Sequence, residues 1–315
     1  MRFLATTLAL LALTTGTAAA NPMQKCTKGH GTEIIEGCTA LIDSRKFSGV
    51  QLSDLFNNRG VGYAQVGERE KALEDYTAAV KINVKNARAY RNMALELAHL
   101  ERFDEAIEKI SMAIKIEPSH ILNYGVRAEI YERANNLEEA IKSHTEVINR
   151  EKTATNYHAR GVIYAKLSRF EEALQDYTRA VQLNPRNPSY YFARGLAWSD
   201  AGKCDQAIPD YSKAIELSPK FGNAYNNHGV CHGRLGKRDE SIADYEAALK
   251  HEPGNLKAQQ NLANARGAPV YTPVRPLPPL PDIKQMLKVP ETPIPMIKID
   301  PKIFELETSV EGEKK

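Results

Sequence analysis

Long apolar runs are what this sequence has least of. After residue 20 no stretch approaches the roughly 20 apolar residues that a bilayer-spanning helix needs, so no transmembrane segment is expected. An excess of one charge is missing too. Lys and Arg number 42 against 39 Asp and Glu, a formal net charge of +3; a nucleic-acid-binding surface is built from clustered basic side chains, and the mixed signs here exclude that partner class. There is no Gly-rich phosphate loop, no Gly-x-Ser-x-Gly elbow and no His-Glu-x-x-His pair. Acidic doublets such as Glu138-Glu139 and Glu171-Glu172 recur one period apart and read as helix starts, where negative charge suits the helix dipole. No catalytic residue, cofactor or metal ion is therefore expected, and the chain does not read as an enzyme.

What the first twenty residues do contain is a secretory signal. Arg2 supplies the positive start, Leu4 to Leu13 the apolar stretch and Ala18-Ala19-Ala20 the small-residue cleavage site. Cleavage after Ala20 and an exported, periplasmic product are expected. At the other end the composition shifts again, for ten of the seventeen prolines fall between Pro269 and Pro301. Repeated prolines favour extended conformations over a packed core, so residues 268–315 read as a proline-rich disordered tail. Its stretch from Arg275 to Pro281, RPLPPLP, looks like a ligand for an SH3 domain, but a spacer fits an exported protein better.

Between these ends a small residue returns every 34 positions, with one step of 33: Gly60, Ala94, Ala128, Gly161, Gly195 and Gly229. Two more rows keep the same beat, Ala72, Ala106, Ala140, Ala173, Ala207, Ser241 and Ala79, Ala113, Val147, Ala180, Ala214, Ala248. Offsets of twelve and nineteen fit a helix, a turn and a second helix, with small side chains where the backbones approach. Of the fourteen tyrosines, twelve fall on three further rows, which assigns them to packing rather than to a ligand site. The missing residue lies between Val147 and Gly161; it must shorten a turn, and a change of superhelical pitch is expected there.

Four cysteines in an exported chain favour two disulfides over metal ligation, with three pairings possible. Cys204 falls near the start of one helix and Cys231 late in the next, antiparallel one, at a similar height. That predicts Cys204 with Cys231 and leaves Cys26 with Cys38. A metal set of His228, Cys231 and His232 is the rival, set aside because no second Cys pair follows and both histidines sit on packing rows.

Tyr191, Gly195, Trp198, Gly202, Ala207, Tyr211, Ala214 and Pro219 stand in the order and spacing of one signature, and over residues 53–255 the chain resembles tetratricopeptide-repeat proteins. The resemblance implies an all-α, right-handed superhelix of six helix hairpins, at 53–86, 87–120, 121–153, 154–187, 188–221 and 222–255. A segment at 21–52 with one degenerate-repeat helix (Thr32 to Ser44) would precede them, and a capping helix at 256–267, with Leu256, Ala258, Leu262 and Ala263 on its apolar stripe, would follow. It also implies a concave groove in which an Asn two residues before the small residue holds a peptide main chain. That place is Asn58, Asn92 and Asn227 in units one, two and six, but Val126, Ala159 and Ala193 between. The expected groove set is Asn57, Asn58, Arg88, Arg91, Asn92 and His99 towards one end, with Asn226 and Asn227 at the other. A protein or peptide is the expected partner, a carboxylate or acidic segment suiting the arginines. Two alternatives stay open: an accessory subunit of an envelope enzyme or export complex, and an adaptor for cell-wall glycan.

Overall fold

The fold, seen in a computed structural model that describes residues 21–267, is all α. The expected signal (1–20) and the proline-rich tail (268–315) lie outside the described residues. Six hairpins follow one another: α3 (Gly49–Gln65) with α4 (Arg69–Ile82), α5 (Ala87–His99) with α6 (Phe103–Ile116), and α7 (Ile121–Arg133) with α8 (Leu137–Arg150) make the first three. Then come α9 (Ala154–Lys166) with α10 (Phe170–Leu183), α11 (Pro188–Asp200) with α12 (Cys204–Leu217), and α13 (Gly222–Arg234) with α14 (Arg238–His251). A shorter pair, α1 (Pro22–Lys28) and α2 (Thr32–Asp43), leads the array, and α15 (Leu256–Arg266) closes it.

The small-residue rows are the contact lines of this solenoid. Ala72, Ala106, Ala140, Ala173 and Ala207 are wholly buried, as are Ala79, Ala113, Ala180, Ala214 and Ala248. With no side chain beyond Cβ, they let neighbouring helices close to within packing distance. Each hairpin turns through three residues, and the middle one is left-handed: Gly67, Glu101, Asn135, Ser168, Gly202 and Gly236 all have positive φ. Between hairpins the turn has four residues, and Asn86, Asn187 and Asn255 end three of those turns as caps whose side-chain oxygens accept backbone N–H bonds. Each such cap contributes about 1 kcal/mol.

The 33-residue step is the exception, and its turn has three residues, Glu151, Lys152 and Thr153. Thr153 caps α9 in place of Asn. At this seam successive first helices part. Elsewhere along the array each first helix approaches the next within 8 Å between Cα atoms, from α3 to α5 through to α13 and α15, but α7 and α9 do not. Units three and four are joined through α8 and α9, with the Glu132 and Lys166 ion pair bridging the separated first helices.

Two elements differ from expectation. The leading segment holds two helices rather than one, because α1 is only seven residues long and buries just Cys26, too little for a periodic signal. In α15 only Ala258 is buried, and Leu256 is 76% exposed rather than facing the last unit. Among the described residues no helix is long and apolar enough to cross a membrane.

Candidate functional site

The first helices carry two kinds of polar device, and they must be separated before a site can be named. One kind pins the repeats together. Arg59, Arg160 and Arg194 each place Nε and Nη2 on both carboxylate oxygens of a residue sixteen further on, Asp75, Asp176 and Asp210, at 2.7 to 2.8 Å. The three carboxylates are nearly buried. Their hydrogen bonds hold each guanidinium above its usual pKa, against a desolvation cost that pulls the other way. Arg160 and Arg194 also reach back to Thr145 and Thr178 on the preceding second helix, at 2.9 and 3.4 Å. These pins are architectural. The sixteen-residue spacing, recurring at the unit period, is the signal that sequence reasoning could have used to find them.

The other device is a relay of three amides, built twice. In the first copy Asn92 Nδ2 donates to Asn57 Oδ1 at 3.0 Å, and Asn57 Nδ2 donates to Asn58 Oδ1 at 3.3 Å. In the second, Asn261 Nδ2 donates to Asn226 Oδ1 at 2.9 Å and Asn226 Nδ2 to Asn227 Oδ1 at 3.0 Å. The central amides are 1% and 5% exposed. Asn57 and Asn226 are therefore not open contact residues, as expected from sequence, but buried links that orient the outer amides. Once those bonds are made, the Asn58 and Asn227 NH₂ groups and the Asn92 and Asn261 carbonyls have no partner among the described residues. Each relay thus presents one amide donor and one amide acceptor. Asn261 was missed, although it stands one period after Asn227.

Around the first relay the expected charges divide. Asn92 and His99 share the wall of a cavity of about 330 Å³ with Arg69, Glu96, Val61 and Leu95. Arg69 and Glu96 form an ion pair there, and His99 Nδ1 lies 3.0 Å from Arg133 Nη1. Arg88 and Arg91 are not on that wall, contrary to expectation, because each is tied elsewhere. Arg88 bonds Asp54 Oδ1 at 3.2 Å, and Arg91 donates to the buried Asn123 Oδ1 at 3.1 Å. Burial pulls the Arg91 guanidinium below its usual pKa, yet such a group stays charged. The second relay opens on a cavity of about 410 Å³ lined by Asn226, Asn227 and Asn261 with Val230, Leu256 and Lys257. Exposed Leu256 thus stands beside amides rather than in a core.

The cysteines meet in the expected pairs. Cys26 lies against Cys38 with Cα atoms 4.7 Å apart, and Cys204 against Cys231 at 5.0 Å.

Comparison with known proteins points the same way as the geometry. Residues 161–198 match the TPR repeat family, and residues 58–121 and 197–255 match the tetratricopeptide repeat family. Over 110 residues the chain is 26% identical to mitochondrial import receptor subunit TOM70 of Mus musculus, a stretch covering 33% of this chain and 18% of that protein. It therefore spans under a fifth of the length of that curated relative. The C-terminal part of a TPR repeat-containing protein from Cytophaga hutchinsonii superposes with a TM-score of 0.63 at 18% identity, covering 73% of this chain and 94% of the other. YrrB, a TPR protein described as having an unusual peptide-binding site, superposes at 0.50 with 22% identity, over 60% of this chain and 97% of its own.

Proposed function

The chain belongs to the tetratricopeptide-repeat family, and from that premise we propose that it is a non-catalytic scaffold holding an extended segment of a protein partner along its first helices. One observation carries this reading: the same amide relay stands at both ends of the array, each copy offering a free NH₂ and a free carbonyl. A peptide main chain presents the complementary C=O and N–H at every residue, so such a pair holds it without regard to side chains. Half-buried Arg91, whose bond is to the neutral amide of Asn123, keeps its positive charge on the helix that carries Asn92 and favours an acidic segment there, whereas Arg88 is neutralised by Asp54. YrrB lends the fold a precedent as a peptide binder.

Export to the periplasm belongs to the same proposal. Residues 1–20 have the order of a cleavable signal, and Asn21, the first residue after the expected cut, caps α1 by accepting from the Gln24 N–H at 2.7 Å. An oxidising compartment would keep Cys26 with Cys38 and Cys204 with Cys231 as disulfides.

Crosslinking in the native compartment followed by mass spectrometry tests the groove. Wild type is compared with an Asn58→Ala, Arg91→Ala, Asn92→Ala variant whose helicity is checked by circular dichroism, and with a chain lacking residues 268–315. The triple variant is expected to lose the partner while the tail-deleted chain keeps it. Retention of the partner by a folded triple variant would falsify the assignment.

A further inference from the structure

The pinning device changes in the sixth unit. Where units one, four and five have Arg59, Arg160 and Arg194, the same register holds His228. His228 inherits the contacts of the guanidinium: its Nδ1 lies 2.9 Å from Asp244 Oδ2, sixteen residues on, and its Nε2 lies 3.1 Å from Ser212 Oγ, the place of Thr178 one unit earlier. A second imidazole joins it. His232 Nδ1 lies 2.9 Å from the same carboxylate oxygen. Two ring nitrogens and a carboxylate thus converge from two helices, with the donor atoms all within 4.8 Å of one another and each side chain only 12% to 14% exposed.

We propose that His228, His232 and Asp244 bind a divalent transition-metal ion of the zinc class. The charge balance of the array motivates it. In units one, four and five a permanently charged guanidinium neutralises the buried aspartate, whereas among the described residues no Arg or Lys bonds Asp244, whose partners are the two imidazoles. A metal ion on two imidazole nitrogens and one carboxylate oxygen supplies that charge, and N,N,O sets of this kind suit zinc, with a position left for water. The spacing serves it as well, because residues four apart lie on one face of α13. Ser212 supplies the outer contact that metal-bound imidazoles require: with Nε2–H donating to Ser212 Oγ, the His228 Nδ1 lone pair is turned towards Asp244. Ligand atoms around a tetrahedral ion at about 2.0–2.2 Å sit about 3.3–3.6 Å apart, so the 2.9 Å contacts need open by about half an ångström. Cys231, bonded towards Cys204 on α12, anchors α13 between the two histidines. The sequence alone suggested Cys231 as the third member of such a set; in the fold Cys231 faces Cys204, and Asp244 takes its place.

The test is calorimetric titration of Zn²⁺ into the full chain, freed of any histidine tag and stripped with chelator, at neutral pH. One equivalent is expected to bind, and chelator should lower the melting temperature of the loaded protein. His228→Arg restores the guanidinium pin of the other units; it is expected to fold, to melt no lower than the stripped wild type, and to bind no Zn²⁺. Ser212→Ala should weaken binding about tenfold. Absence of saturable binding by wild type overturns the proposal, and so does full-strength binding by His228→Arg. A stability that follows pH but not Zn²⁺ would likewise overturn it, leaving two imidazoles held by a carboxylate and nothing more.

Discussion

At Gly195 an added Cβ would stand 2.9 Å from Tyr211 Cε1 and 3.3 Å from the Ala207 carbonyl oxygen, both in a wholly buried part of α12. The same collision recurs between Gly60 and Tyr76, Gly161 and Tyr177, and Gly229 and Tyr245. Units two and three place Ile110 and His144 opposite instead, and there the row carries Ala94 and Ala128. Gly therefore stands where the residue sixteen positions on is tyrosine, and Ala where it is not. Gly195→Ala is expected to lower stability in urea by about 1–2 kcal/mol, since overpacking outweighs the gain in helix propensity. Gly125→Ala on α7 should do the opposite, raising it by about 0.5–1 kcal/mol, because nothing lies within 4 Å of its Cβ direction. Equal signs for the two substitutions would refute the argument. The beat of small residues was legible in the sequence; the rule choosing Gly or Ala was not, because it depends on a side chain sixteen positions away on another helix.

The hairpin turns show the same economy one scale up. Each has one left-handed residue, and three units fill that position with Gly while Glu101, Asn135 and Ser168 fill it in units two to four. A left-handed conformation costs a residue with a Cβ about 1–2 kcal/mol, partly offset by the larger entropy that Gly loses on folding. Glu101→Gly is thus expected to raise the thermal midpoint, by an amount equivalent to about 0.5–1 kcal/mol; an unchanged or lower midpoint would count against it. Helix hairpins of this size announce themselves through periodicity, and the 33-residue step correctly located a shortened turn. What stayed hidden was short or cooperative. Seven-residue α1 has no period to read, and the amide relays need a buried central Asn whose role appears only when α3 meets α5 and α13 meets α15. Asn58, Asn92 and Asn227 were found through a family position, whereas the free donor and acceptor they expose come from the hydrogen bonds they make.

Across the whole molecule, the cysteine pairs sit where a stacked array is weakest. End repeats have a neighbour on one side only, and Cys26 with Cys38 ties the leading hairpin while Cys204 with Cys231 ties unit five to unit six. Closing either loop is worth about 3 kcal/mol in the chain-entropy account. Under a reductant, native-state hydrogen exchange should show α13, α14 and α15 losing protection while α5 and α6 keep theirs. Uniform loss along the chain would contradict end-stapling. The middle of the array has no such tie, and its seam has a different consequence. In a one-dimensional stack the weakest interface limits how far a local fluctuation travels. With the α7 and α9 backbones apart, an opening that begins in units one to three spreads through the α8 and α9 contact, the cluster of Tyr131, Ile141 and Ile163, and the ion pairs Glu132 with Lys166 and Glu138 with Arg169. The protein is therefore two short cooperative blocks in series, each with an amide relay at its far end, and strain introduced at one relay is damped before it reaches the other.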